Sequence, residues 1–359
     1  MDHSKTISSE EITALLGFKL KIPQMAERTF GKMATGFYAE GGHVRVLQIC
    51  GNYKLLDFSE SINALQWLEK LHIVHCDLPT TLDFVLNLPK MQEIELFGCI
   101  LEKMPEWMAH LSTLETISFT FNELKDLPDI IASFTKLKTL NLTKNDFMEI
   151  PKPLRSIKTL ERIFLDDNHI RSVPDWIGEL TNLEELNIAY NQIAEIPDSI
   201  GLLHKLKRFN CASNRLKDIP RTLLNLKNLE FWSINENEVE SLPLALWEKL
   251  TGTTAHLQNP WLFPPPEITK RHLDFVVNYL RGYTPDIFLH NIESKLQNGT
   301  PLNPEEIHYP DLLRLGAQLE ALCERYPESP TTKELRDILN DRGYVGNPRH
   351  PHADTGILL

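Results

Sequence analysis

The residues of this chain that could do chemistry fall into three groups. His350, His352 and Asp354 alternate near the chain's end, a spacing that could ligate a metal ion. The prolines around them make an ordinary polar tail the plainer reading. Cys323 beside Glu324, and Cys76 beside Asp77, set a thiol next to a carboxylate. A thiol nucleophile needs an activating base, and no histidine adjoins Cys323 in sequence. His43, His72 and His75 read as surface or turn residues rather than a triad. No catalytic residue, cofactor or metal site is assigned, so the reading is of a chain that is not an enzyme.

Whatever these residues do, a strict period positions them. Pro105, Pro128, Pro151, Pro174, Pro197, Pro220 and Pro243 follow one another every 23 residues. Asn122, Asn145, Asn168, Asn191, Asn214 and Asn237 keep the same interval. Such self-similarity marks a stacked repeat architecture. One unit reads Leu183, Leu186, Ile188, Asn191, Ile193, Ile196, Pro197, Ile200 and Leu203. The alternation of Leu186 and Ile188 predicts a short strand with one face inward. The asparagine falls where the chain turns, and its amide can bond backbone groups of adjacent coils. Cys76 and Cys99 take that place in two units. The proline is expected at the first position of a short helical turn, where its missing N–H leaves nothing unpaired. Glu106, Asp129, Asp175 and Asp198 follow it, near the turn's positive end. No unit can bury its apolar side alone, so neighbours must stack.

This pattern resembles that of the leucine-rich repeat family, L-x-x-L-x-L-x-x-N-x-L. The resemblance implies an α/β solenoid, with a curved parallel sheet on the concave side and short helices or 3-10 turns on the convex side. Nine units are read over residues 44–252, starting at Val44, Leu68, Met91, Leu114, Leu137, Leu160, Leu183, Leu206 and Leu229; the first is one residue longer. Residues 1–43 are expected to cap the solenoid, with a capping box from Ser8 to Glu11 opening a helix before Ile12, Leu15 and Leu16. Residues 253–282 are expected to close it. There Asn259-Pro260-Trp261, Pro264-Pro265-Pro266-Glu267-Ile268 and Tyr279-Leu280-Arg281 are similar to the closing segment of intracellular repeat proteins related to Ras-binding scaffolds and their bacterial counterparts. Trp261 replaces that pattern's leucine, and His272 its glycine. Some relatives continue into a GTPase domain, but no phosphate-binding G-x-x-x-x-G-K-[ST] loop occurs here, so that activity is not carried over. Cys76-Asp77 has only a superficial likeness to the nucleophile of bacterial leucine-rich repeat ubiquitin ligases, because the repeat already accounts for this cysteine.

Residues 283–359 read as a helical extension. Asn303-Pro304-Glu305 marks a start, Leu312, Leu315, Leu319 and Leu322 keep helical spacing, and Thr331 to Glu334 forms a capping box. A mobile tail is expected from Gly346. The formal net charge of −12 argues against nucleic acid or an anionic membrane as partner. No stretch is long and apolar enough for a membrane helix, and no apolar signal run follows Met1-Asp2-His3-Ser4-Lys5. The dispersed cysteines suit a reducing compartment. A cytoplasmic protein is therefore expected, or one exported by a non-classical secretion system into a host cell. The sequons at Asn141 and Asn298 are then incidental.

Function is expected where the repeats differ. On the concave strands, side chains between the core leucines point to solvent. Those columns hold Phe97, Phe121, Phe164, Tyr190 and Phe231 as aromatic anchors among Glu93, Glu95, Arg162, Asp166, Glu185 and Arg208. Aromatic rings within a charged rim suit a protein interface. Aromatic residues also suit strands for packing reasons alone. A second row, Trp107, Ile130, Pro153 and Trp176, stands two residues after the repeat proline. It reads either as a convex contact surface or as side chains folded back into their own coils. The resulting reading is a non-catalytic scaffold that binds another protein through its concave face, a bacterial effector being compatible with it. The alternative is an enzyme whose repeats recruit substrate to residues 283–359.

Overall fold

The computed structural model describes Ile7, Ser8, Glu10, Glu11, Gln24 and residues 35–53, 60–79, 81–82, 84–240, 242, 244–250, 257–260, 285–299, 301 and 316–341. It forms two compact units, residues 1–234 and 235–359.

In the first unit the period becomes register. Ten strands run in chain order through one sheet: β1 Gly36–Glu40, β2 His43–Tyr53, β3 Lys70–Cys76, β4 Glu93–Phe97, β5 Thr116–Ser118, β6 Thr139–Asn141, β7 Arg162–Phe164, β8 Glu185–Asn187, β9 Arg208–Asn210 and β10 Phe231–Ser233. From β3 onward each strand residue lies beside its counterpart one period away, as Ile163 beside Leu186 and Leu186 beside Phe209. The longer first unit shows as Val46 beside Lys70. β2 to β10 are parallel, whereas β1 runs antiparallel to β2 across Gly41-Gly42. Sequence reading missed β1, although a Gly-Gly step between two apolar runs is a hairpin signal.

Opposite the sheet, 3-10 turns repeat at Glu106–His110, Asp129–Ser133, Lys152–Ser156, Asp175–Glu179, Asp198–Leu202 and Arg221–Asn225. Proline precedes each, but as the N-cap rather than the first turn residue expected. Pro174 is extended, with φ −74° and ψ 151°, and its carbonyl accepts the Ile177 N–H at 3.0 Å. The acid then becomes the first turn residue. Leucine and isoleucine from strand and turn fill the space between, among them Leu140, Leu160, Ile163, Leu186 and Ile200, all without solvent exposure.

The asparagines hold the coils together. Asn168 donates through Nδ2 to the carbonyls of Leu142, one coil back, and Leu165, at 2.9 and 3.0 Å. Its Oδ1 accepts the Phe147 N–H at 3.1 Å. Asn122, Asn145, Asn191 and Asn214 repeat this bridge. Cys99 approximates it more weakly, its thiol 3.5 Å from the Ile73 carbonyl.

At the N-terminus the capping box closes differently from its usual form. Ser8 Oγ accepts the Glu11 N–H at 3.2 Å, while buried Glu11 accepts the Val44 N–H at 3.2 Å and lies 3.5 Å from His43 Nδ1. The carboxylate thus ties this segment to the start of β2.

The second unit contains four helices among the described residues: α1 Leu244–Trp247, α2 Pro285–Asn298, α3 Gly316–Arg325 and α4 Pro330–Asp341. Ile292, Leu296, Leu319, Leu322, Cys323 and Leu335 are buried. Glu293 on α2 accepts from Arg325 at 2.6 Å and from the Tyr326 hydroxyl at 3.1 Å. Thr331 is not the N-cap expected: α4 starts at Pro330, and Thr331 and Thr332 are buried in its first turn. The expected helix start at Asn303, Leu312 and Leu315, the closing motifs from Trp261 to Arg281, the tail from Gly346 and the His350–Asp354 group lie outside the described residues.

Candidate protein-binding face

The strand alternation expected from sequence separates two faces. In β7, Ile163 is buried while Arg162 and Phe164 are half-buried on the sheet's open face. Glu93, Glu95, Phe97, Glu185, Arg208 and Phe231 occupy equivalent faces of β4, β8, β9 and β10.

Much of the charge on this face is engaged along the stack. Glu93 pairs with Lys70, and its other oxygen lies 3.1 Å from His72 Nε2. The His72 hydrogen bond, then Lys70, holds the Glu93 carboxyl down at about 2, against the effect of burial. Glu95 lies 3.7 Å from His72 Nδ1. Glu185 meets Arg208 at 3.1 Å, and the Arg208 guanidinium lies 5.8 Å from the Phe231 ring centre. Arg162 donates to Thr139 Oγ1 at 3.0 Å. Asp166 accepts from the Thr143 hydroxyl at 2.8 Å and from Asn187 at 2.9 Å, and burial pushes its carboxyl up. These one-coil steps make the charges part of the scaffold.

Phe121 and Tyr190 are not strand residues. They belong to a separate column, which the sequence reading merged with the strand positions: His75, Gly98, Phe121, Lys144, Asp167, Tyr190, Ser213 and Glu236, each at φ between 53° and 61°. This is the left-handed region, costly for residues with a Cβ. The turn aims successive N–H groups at the next coil: Tyr190 donates to Ala212 at 2.9 Å and Asn191 to Ser213 at 3.0 Å. It also turns the column's side chains out at the rim. Phe121 is 52% exposed and Tyr190 60% exposed.

Three rings gather at one end of the column. His75 packs edge-on to Phe97 at 5.4 Å between ring centres, and Phe97 stacks on Phe121 at 5.9 Å. Gly98 makes this possible, since a Cβ there would fall 2.5 Å from His75 Nδ1. Phe164 and Tyr190 lie in later coils, so the five aromatic residues do not form one continuous cluster.

The convex row does not form a continuous exposed stripe. Trp107 is only 4% exposed and donates its indole N–H to the Pro79 carbonyl at 3.0 Å. Trp176 is half-buried, and Ile130 is 42% exposed. Folding inward satisfies the indole and buries its ring, which accounts for Trp107.

None of the five cysteines forms a disulfide, and all are buried. Burial pushes the Cys99 thiol up to about 11 and the Cys211 thiol to about 12, the reverse of nucleophile activation. Cys76 donates to the Gly51 carbonyl at 3.3 Å. Among the described residues no cluster of three or more histidine, cysteine or acidic side chains could hold a metal, and no helix is long and apolar enough to cross a membrane.

A leucine-rich repeat family model matches residues 158–216. No curated protein matches the chain. Among solved structures, a leucine-rich repeat protein of Leptospira interrogans is similar at 23% identity and a TM-score of 0.48, over 58% of this chain and 70% of that one. An internalin of Listeria monocytogenes is similar at 22% identity and a TM-score of 0.47, over 59% of this chain and 67% of its own. A plant peptide hormone receptor, solved in complex with its hormone, gives 22% identity and a TM-score of 0.47 over 58% of this chain and 34% of the receptor. At these values the likenesses bear on neither partner nor site.

Proposed function

We propose, for a chain that is a leucine-rich repeat protein, that it is a non-catalytic scaffold holding a protein partner against the open face and rim of its sheet. Leucine-rich repeat proteins generally act as protein-interaction scaffolds. The observation that carries the reading is the exposure of Phe121 and Tyr190 at left-handed positions. Glycine or asparagine would sit there at less cost, and a large exposed ring adds nothing to the core. Aromatic side chains in such places supply contact area with few rotatable bonds to order on binding. Phe97 and Phe164 extend the surface across the open face. The ladder of ion pairs supports a face ordered before contact, which limits the entropy lost on association.

Five buried thiols held outside any disulfide support a reducing compartment such as the cytoplasm. Delivery into a host cytoplasm is compatible with the same chemistry.

The test is affinity capture with the full chain and with a variant carrying Phe121→Gly, Phe164→Ala and Tyr190→Gly. Glycine suits both left-handed sites, as Gly98 shows, so the variant is expected to keep its circular dichroism and melting profile. Loss of the captured partners from a folded variant supports the reading. Equal capture by both proteins removes it.

A further inference from the structure

A groove of about 400 Å³ runs along the rim beside Phe121. Its lining brings the left-handed column together with the residues just after the repeat asparagine. Ile100, 71% exposed, and the Phe121 ring form the apolar part. Glu123, Asp146 and Asp167 supply three carboxylates against one lysine, Lys144. These residues lie one coil apart in two columns, so their spacing comes from the repeat itself.

A cation of the chain itself already occupies this arrangement. The Lys144 ammonium lies 5.9 Å from the Phe121 ring centre and 3.8 Å from Asp167. A positive group over an aromatic face, steadied by a carboxylate, is favourable, and an arginine guanidinium is the commoner occupant of such a site. His169 lies 3.6 Å from Asp146, whereas the Glu123 carboxylate has no hydrogen bond or ion pair among the described residues. Lys144 thus stands where an incoming cation would stack, with a second carboxylate in the same groove uncommitted.

Resting on the scaffold reading above, we propose that this groove seats an arginine-bearing, otherwise apolar segment of the protein partner. The guanidinium replaces the Lys144 ammonium over Phe121 and pairs with Glu123 or Asp167, while a flanking apolar side chain covers Ile100. Lys144 then acts as an internal competitor, and the excess of carboxylates excludes acidic segments.

The test titrates the full chain with a labelled synthetic peptide alternating arginine and leucine, and with its glutamate–leucine counterpart, by fluorescence anisotropy. The arginine peptide is expected to bind and the glutamate peptide not to. Phe121→Gly and Glu123→Gln should each weaken binding by roughly fivefold, and Lys144→Met should tighten it by about threefold. Equal binding of the two peptides, no binding, or indifference to all three substitutions overturns the proposal. If the arginine peptide fails while the aromatic variant still loses captured partners, the groove assignment falls and the scaffold reading stands. If the peptide behaves as expected while capture is unchanged, the open-face reading falls, and with it the assignment of the groove's arginine segment to that partner.

Discussion

Asn168 shows how much one amide carries in a stacked coil. It satisfies carbonyls of two coils and an N–H of the one before. Asn168→Ala would leave those groups unpaired, and a loss of about 2–4 kcal/mol is expected in urea denaturation. The left-handed column predicts the opposite sign. Ser213 sits at φ 53° with a small polar side chain. Relief of about 1–2 kcal/mol of strain outweighs glycine's entropy cost of about 0.5–1 kcal/mol, so Ser213→Gly should leave stability unchanged or raise it slightly. Glu93 sets an acid limb. Its folded value of about 2 lies below the ordinary 4.5, so its contribution is present above pH 4.5 and fades as pH falls towards 2. Glu93→Gln should cost about 1 kcal/mol at neutral pH and flatten that limb in a pH series of melting curves. The inward leucines, the asparagine bridge and the strand-face charges were legible because the repeat displays each of them many times. The left-handed backbone at Phe121 and Tyr190 was not, because both lie beyond strands only three residues long, where the core positions of the repeat say nothing about backbone conformation. Beyond that point backbone hydrogen bonding to the next coil, not side-chain period, decides direction.

Among the elements, the 3-10 turns show how closely coils approach. A Cβ on Gly201 would lie 2.5 Å from the Thr222 carbonyl oxygen, and one on Gly178 equally near that of Ser199. Backbone cannot yield as a flexible side chain would. Gly201→Ala should therefore destabilise by roughly 1–3 kcal/mol, read as a lower urea midpoint with little change in slope. The proline interval located these turns to within a residue. It could not show that proline caps the turn instead of entering it, since either place suits a residue lacking an N–H. β1 escaped the reading because it breaks the period, so nothing in the later units points to it. For Trp107 the row left two directions open, out to a contact surface or back into the coils, and it takes the second. Whether a ring turns in depends on a carbonyl within reach, here that of Pro79.

For the molecule as a whole, order is passed from neighbour to neighbour. Each asparagine bridge and each strand pair reaches only the adjoining coil. Stability in such a stack is close to a sum of unit and interface contributions. The five buried thiols turn this into a chemical clock. Cys50, Cys76 and Cys99 mark the early coils, Cys211 a late one and Cys323 the helical unit. An alkylating reagent reaches a thiol only when its surroundings open, so the modification rate at each cysteine times a local event. The distribution of these sulfur atoms therefore lets mass spectrometry follow the order in which the chain comes apart, without adding any probe.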